Sequence, residues 1–114
     1  MATTLTREEV IELANQALEA KDSDAIATAV RQSLDWFAAA HLGRSVEVRV
    51  PPYRVVQVLG GSTHRRGTPP AIVELDPLTW LELVLGRTSW QAADQVGKIH
   101  ASGVRSDLSE LLPI

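Results

Sequence analysis

Three histidines, His41, His64 and His100, are the side chains whose type best suits metal binding or proton transfer. Their spacing fits no metal motif, because none lies three or four residues from another histidine or from a carboxylate in such a pattern. The chain has no cysteine, so thiolate ligands are absent too. We therefore predict neither a metal site nor a cofactor.

A serine nucleophile needs a neighbouring base and commonly lies on a strained turn of the type G-x-S-x-G. The run Gly60-Gly61-Ser62 lacks the second half of that motif and does not open a predicted helix. Cysteine nucleophiles are excluded by composition. We predict that the protein is not an enzyme and has no catalytic residues.

A basic loop over residues 60–67 contains His64, Arg65 and Arg66. It is not a phosphate loop, since the lysine and the following helix are missing. Its arginines and backbone amides could hold an anionic head group, although a solvated connection is the favoured interpretation. The surrounding segment 44–70 is net positive and could attract an anionic ligand or an acidic surface, unless its arginines pair with the acidic helices.

Three of the five aromatic residues are tryptophans, Trp36, Trp80 and Trp90. Stacking on nucleic acid requires exposed aromatic rings between basic groups, whereas these three fall on predicted helices among leucines and alanines. The net charge of −3 gives no reason to expect a nucleic-acid partner either. The tryptophans are expected to pack the core or to line a lipid cavity.

The elements that must position these residues follow from the apolar spacing. The predicted helices are 7–20, 24–41, 77–85 and 90–96, the predicted strands are 45–50, 54–59, 71–75 and 98–102, and a last helical turn opens at Ser106 or Asp107. Thr6 and Glu9 predict a capping box, and Gly43 predicts a left-handed end to the second helix. This order predicts an α+β fold: a small, mostly antiparallel sheet of four to five strands, covered by helices on one face. The length of 114 residues fits a single domain, 1–114.

The first two strands can be placed in register. A three-residue connection, Pro51-Pro52-Tyr53, pairs Val48 with Val56 and Val46 with Val58. This register puts valines alone on one face, together with Val50, and is therefore favoured over connections of two or four residues.

The helix 77–85 is apolar almost all round, which is unusual for a surface helix. We expect Leu78, Leu81 and Leu85 to face the sheet. The opposite face, with Trp80, Leu83 and Val84, then needs a cover, which the following helix, a bound lipid or a second chain could supply. The favoured interpretation is a cavity wall, with a dimer contact as the alternative.

Several blocks of the chain resemble the small sterol-carrier-protein family of actinobacteria over about residues 24–114. The blocks are Asp76-Pro77-Leu78-Thr79-Trp80-Leu81-Glu82-Leu83, Gly86-Arg87-Thr88-Ser89-Trp90, Ala101-Ser102-Gly103, Asp107-Leu108-Ser109-Glu110-Leu111-Leu112-Pro113, and the stretches 45–52 and 66–70. The resemblance implies a five-stranded sheet with helices over one face and an apolar tunnel between them. It also implies the family's usual role, which is to hold sterols, fatty acyl chains or similar lipids.

The predicted function is therefore non-catalytic binding or transfer of a small hydrophobic ligand (a lipid, acyl chain or sterol-like molecule) in an apolar cavity between sheet and helices. The residues expected to line this cavity are Phe37, Val48, Val56, Trp80, Leu83, Val84 and Leu112, and the head-group candidates are His64, Arg65 and Arg66. The alternatives are a protein-interaction module, including a homodimer, and an accessory module related to those of thiol-dependent isomerases. No apolar run predicts an integral membrane segment and the N-terminus does not read as a secretory signal, so the expected location is the cytoplasm.

Overall fold

The computed structural model describes residues 5–60, 70–103 and 106–114. Over these ranges the elements follow one another with bounds that agree with the predicted ones to within one residue. They are α1 (Arg7–Ala20), α2 (Ser23–Ala40), β1 (Val46–Val50), β2 (Arg54–Val58), β3 (Ala71–Leu75), α3 (Pro77–Leu85), α4 (Trp90–Gln95) and β4 (Ile99–Ser102).

Each helix begins at a polar cap whose side chain accepts a hydrogen bond from a free amide of the first turn. The caps are Thr6, Asp22, Asp76 and Ser89. The predicted capping box is confirmed, because Glu9 also accepts a hydrogen bond from the Thr6 amide. Such caps satisfy donors that the helix itself leaves free.

The end of α2 differs from the prediction. Its C-terminal cap is His41, with φ of −133°, and not a left-handed glycine. Gly43 instead lies where the backbone passes very close to another segment. Its φ is +147°, and a Cβ built on it would lie 1.9 Å from the carbonyl carbon of Leu59. Only glycine permits this contact between the chain leaving α2 and the end of β2.

The sheet has the strand order β2-β1-β3-β4 and is mixed. β1 pairs antiparallel with β2 and parallel with β3, and β3 pairs antiparallel with β4. The α+β class is thereby confirmed, with two antiparallel pairings out of three. The predicted hairpin register is confirmed as well, since Val48 lies opposite Val56 and Val46 opposite Val58.

The two faces of the sheet have different environments. The face toward the helices holds a set of buried apolar side chains: Val46, Val48, Val50, Val58, Ala71, Val73, Leu75 and Ile99. Val56 shares this face and is half-buried. On the opposite face Glu47 and Arg49 form an ion pair, as the predicted alternation requires. The helices therefore cover one face of the sheet.

Helix α3 is mostly buried, but one of the leucines expected to face the sheet is exposed. Leu78, expected to face the sheet, is 48% exposed, whereas Leu81 is fully buried. Trp80 packs against α2: its ring lies edge-on to Phe37 with centroids 5.3 Å apart. Helix α2 therefore covers Trp80, and α1 also contacts α3.

The C-terminal segment forms a hydrogen-bonded turn where a last turn of helix was expected. The amide of Leu111 donates to the carbonyl of Leu108, which is buried, and the chain then continues without regular structure. The amide of Ile114 donates to the carbonyl of Val84, so the segment closes over the end of α3.

Candidate ligand-binding groove

The residues predicted to line a cavity all belong to the core or pack directly against it. Five of them are fully buried, Phe37, Val48, Trp80, Leu83 and Val84, while Val56 and Leu112 are half-buried. They form one continuous cluster with the valines of the sheet. That this cluster opens to admit a ligand is still a prediction.

A buried hydrogen bond fixes the tryptophan at the centre of that cluster. The indole Nε1–H of Trp80 donates to the Ser33 hydroxyl at 2.8 Å, and that hydroxyl donates to the Val30 carbonyl at 3.0 Å. Both side chains are at most 1% exposed. The polar groups of this part of the core are therefore satisfied from within the protein.

The three head-group candidates, His64, Arg65 and Arg66, lie outside the described residues, and so does Ser62. The other two histidines are separated in the fold. His41 lies against the ring of Phe37 with centroids 4.8 Å apart, and His100 is on β4 opposite Glu74. Within residues 5–60, 70–103 and 106–114, no cluster of three or more His, Cys, Asp or Glu side chains could hold a metal ion.

A surface groove is present where α1, α2 and α3 meet. We call it the α1–α3 groove; its volume is about 600 Å³ and it is open to solvent. It is lined by Ala17, Leu18, Lys21, Ile26, Asp76, Leu78, Thr79, Glu82, Arg87 and Lys98. Pockets for small molecules commonly have volumes of roughly 300 to 1,000 Å³.

The apolar part of the groove comes from all three helices. Ala17 and Leu18 lie in the last turns of α1, Ile26 in the first turn of α2, and Leu78 in the first turn of α3. Leu18 and Ile26 are half-buried and Leu78 is the most exposed of the four. These side chains leave apolar surface in contact with water inside a concave site.

Three cationic residues line the same groove. Lys21 ends α1 with a left-handed backbone, Arg87 follows the cap of α3, and Lys98 precedes β4. Arg87 donates to the Asn15 side chain of α1 at 2.6 Å, which connects the two walls. Among the described residues, no ion pair within 4 Å involves these three cations.

The acidic residues of the groove are Asp76 and Glu82, and Asp76 already has partners. Partial burial raises the pKa of the Asp76 carboxyl, but hydrogen bonds from the Thr79 hydroxyl and from nearby backbone amides outweigh this effect. The pKa of Asp76 therefore lies below its ordinary value of 3.8. The carboxylate is committed to the N-terminus of α3, where its charge also meets the positive end of the helix dipole.

The α1–α3 groove was not foreseen from the sequence. Two signals pointed toward it: Leu78 on a helix with too few polar positions, and the only two lysines of the chain, Lys21 and Lys98. Neither signal indicates a site alone, because the groove depends on how α1 packs beside α3.

Two arginines of the net-positive segment 44–70 form ion pairs with different partners. Arg54 pairs with Asp35 of α2 at 3.1 Å, and Arg49 pairs with Glu47 within its own strand. The expectation that arginines of this segment pair with the acidic helices is thus met by Arg54. No helix in the described ranges is both long and apolar enough to span a bilayer.

Comparison with protein-family models matched most of the chain. Residues 22–114 match the family model described as "Bacterial SCP ortholog". A search of curated proteins returned no match. The matched region starts after α1, so Ala17, Leu18 and Lys21 of the groove lie outside it.

Proposed function

Because the chain belongs to the bacterial SCP ortholog family, we propose that it binds and carries a small hydrophobic ligand, such as a lipid or an acyl chain, without catalysing a reaction. Family membership supports a lipid-carrier type of role. The same membership supports the non-catalytic part of the proposal, since the family is generally not enzymatic.

One observation supports the α1–α3 groove as the binding site. Leu18, Ile26 and Leu78 present apolar surface in a concave space of about 600 Å³ that no described residue fills. Burying such surface against a ligand is favourable by about 25 cal/mol per Å². The fully buried cluster around Trp80, by contrast, must repack before it admits a ligand.

Decanol is a suitable probe, because it is apolar and has no charge. We expect a titration of the ¹⁵N-labelled protein to give saturable amide shifts at Ala17, Leu18, Leu78 and Thr79. Replacing Leu78 by Gln is expected to weaken decanol binding about fivefold, because contact area is lost. Leu42→Gln is the matched control: Leu42 is 77% exposed and lies outside the groove, so this variant should bind as the parent does.

Native mass spectrometry of freshly purified protein provides an independent measurement, with a co-purifying lipid as the expected result. Saturable shifts at Phe37, Val48 and Trp80 instead would place the ligand between sheet and helices. An empty protein that also shows no saturable shift with decanol would contradict the proposed function. An empty dimer would favour self-association in its place.

A further inference from the structure

We propose that the α1–α3 groove selects soluble single-chain amphiphiles with a carboxylate head, which Lys21, Arg87 and Lys98 hold while the chain lies on Leu18, Ile26 and Leu78. This inference rests on the proposed function and adds to it the chemical class of the ligand.

The lysines provide the first argument. Eleven residues of the chain are cationic and only two of them are lysines, and both lysines line this groove. A lysine ammonium is a compact charge on a flexible stem, so it can follow a head group whose position varies. Both side chains are exposed, and neither has an acidic partner within 4 Å among the described residues.

The charge balance provides the second argument. Against the three cations the groove has two carboxylates, and that of Asp76 is bound to the first turn of α3. Glu82 is the other acidic residue of the lining, and its carboxylate does not cap a helix. Arg87 uses one donor on Asn15, and a guanidinium has five. The groove therefore has an excess of cationic donors beside apolar surface, which is complementary to a carboxylate attached to an alkyl chain.

The charge of the rest of the molecule favours a free amphiphile over a membrane surface. The chain has a net charge of −3, and α1, which forms one wall of the groove, carries four glutamates: Glu8, Glu9, Glu12 and Glu19. An anionic bilayer would repel these groups when the groove approached it. A single amphiphile can reach the three cations without bringing a charged surface near α1.

The test compares three ten-carbon amphiphiles that differ only in their heads: decanoate, decanol and decyltrimethylammonium. Affinities come from amide shifts of the groove residues at low ionic strength and neutral pH. We expect decanoate to bind about tenfold more tightly than decanol, as a charge-assisted contact of about 1.4 kcal/mol would give. We expect decyltrimethylammonium to bind most weakly and the advantage of decanoate to shrink with added salt.

The double variant Lys21→Gln/Lys98→Gln removes the two ammonium groups and keeps most of each stem. It should lose the preference for decanoate while binding decanol as the parent does. The matched control is Arg31→Gln/Arg44→Gln, which changes the net charge equally at two exposed positions outside the groove. This control should keep the preference.

Each remaining outcome decides between the two proposals. If decanol and decanoate bind the groove equally well, or if both double variants lose the preference alike, the head-group inference is wrong and the proposed function stands. If neither ligand shifts the groove residues, the head-group inference is wrong. If neither gives a saturable shift anywhere in the protein and no lipid co-purifies, the proposed function is wrong as well. If vesicles containing phosphatidylglycerol bind the parent but not the lysine variant, while decanoate shows no preference, the cations serve a membrane surface and the inference is wrong.

Discussion

The Ser33 hydroxyl takes part in two hydrogen bonds, as the acceptor for Trp80 and as a donor to Val30. The Ser33 and Trp80 side chains are at most 1% exposed, so bulk solvent does not compete for either hydrogen bond. The Ser33 hydroxyl therefore supplies the acceptor that the buried indole N–H of Trp80 needs. The indole ring in turn packs edge-on against Phe37. Sequence alone could place Trp80 in the core, but it could not name a partner 47 residues away.

Replacing Ser33 by Ala should lower the free energy of unfolding by about 1–3 kcal/mol, because the Trp80 Nε1–H is left buried without an acceptor. Urea denaturation of the parent, Ser33→Ala, Trp80→Phe and the double variant measures this effect. In the Trp80→Phe background the serine substitution should cost less, since phenylalanine has no donor to satisfy. Equal costs in both backgrounds would contradict the coupling.

Among the glycines of the described residues, Gly43 leaves the least room for a Cβ. Gly43→Ala should lower the free energy of unfolding by more than about 3 kcal/mol or prevent folding, because its Cβ would overlap the backbone at Leu59 and Gly60. Gly97→Ala is the matched control: it also has positive φ, of +78°, but nothing lies within 4 Å of its Cβ. That substitution should lower the free energy of unfolding by only about 1 kcal/mol, because the alanine must adopt a left-handed backbone conformation but meets no neighbouring atom. Thermal melts of both variants distinguish overlap from strain, and similar melting points would contradict this assignment.

At the scale of elements, local patterns were sufficient where the determining contacts are local. Alternation along β1 and β2, together with a three-residue connection, determined the hairpin register that the structure has. The capping box of Thr6 and Glu9 was equally predictable, because both residues lie at the start of α1. The exposed position of α3 was not, because it depends on where α1 and α2 lie, and those contacts join residues far apart in the chain.

Asp76 shows how one cap stabilises an element and makes its stability depend on pH. Asp76→Ala should lower the free energy of unfolding by about 1 kcal/mol at neutral pH, since α3 loses its N-cap. The folded-state pKa of Asp76 is depressed below 3.8, so its contribution is complete above that value and is lost as the pH falls through the folded-state pKa.

The measurement is the stability difference between the parent and Asp76→Ala across the acid range. The difference should shrink on acidification. Asp94→Ala is the control, because Asp94 is an exposed acid of α4 whose side chain caps no helix. A difference that stays constant down to strongly acidic pH would show that the ionised carboxylate is not what caps α3.

At the scale of the whole molecule, α1 is the one helix of the described residues that lies outside the family-matched region. It precedes the region matched by the family model, yet Val10, Ala14 and Ala17 are fully buried against the remainder of the fold. Two side-chain hydrogen bonds also hold α1 in place. Arg87 donates to the Asn15 side chain of α1, and Arg7 of α1 donates to the carbonyl of Ile114. The family-matched region therefore supplies α2 and α3, and α1 completes the groove between them.

Small side chains on α1 allow this close packing, which leads to a prediction about stability and binding together. Ala17 is 1% exposed and lines the groove, so Ala17→Leu should push α1 outward. Overpacking of this kind costs about 1–3 kcal/mol in the free energy of unfolding. Ala20→Leu is the matched control, because Ala20 is the exposed last residue of the same helix and should tolerate the change.

Hydrogen exchange and decanol binding together decide what α1 contributes. If α1 forms a wall of the site, Ala17→Leu should speed exchange of the α1 amides and weaken decanol binding, while the exchange of β1 and β3 stays slow because the sheet core is untouched. Faster exchange with unchanged decanol affinity would mean that α1 is a stabilising attachment and that α2 and α3 alone hold the ligand. The parent and Ala20→Leu should agree in both measurements, since at that position the added methyl groups extend into solvent and leave the groove as it was.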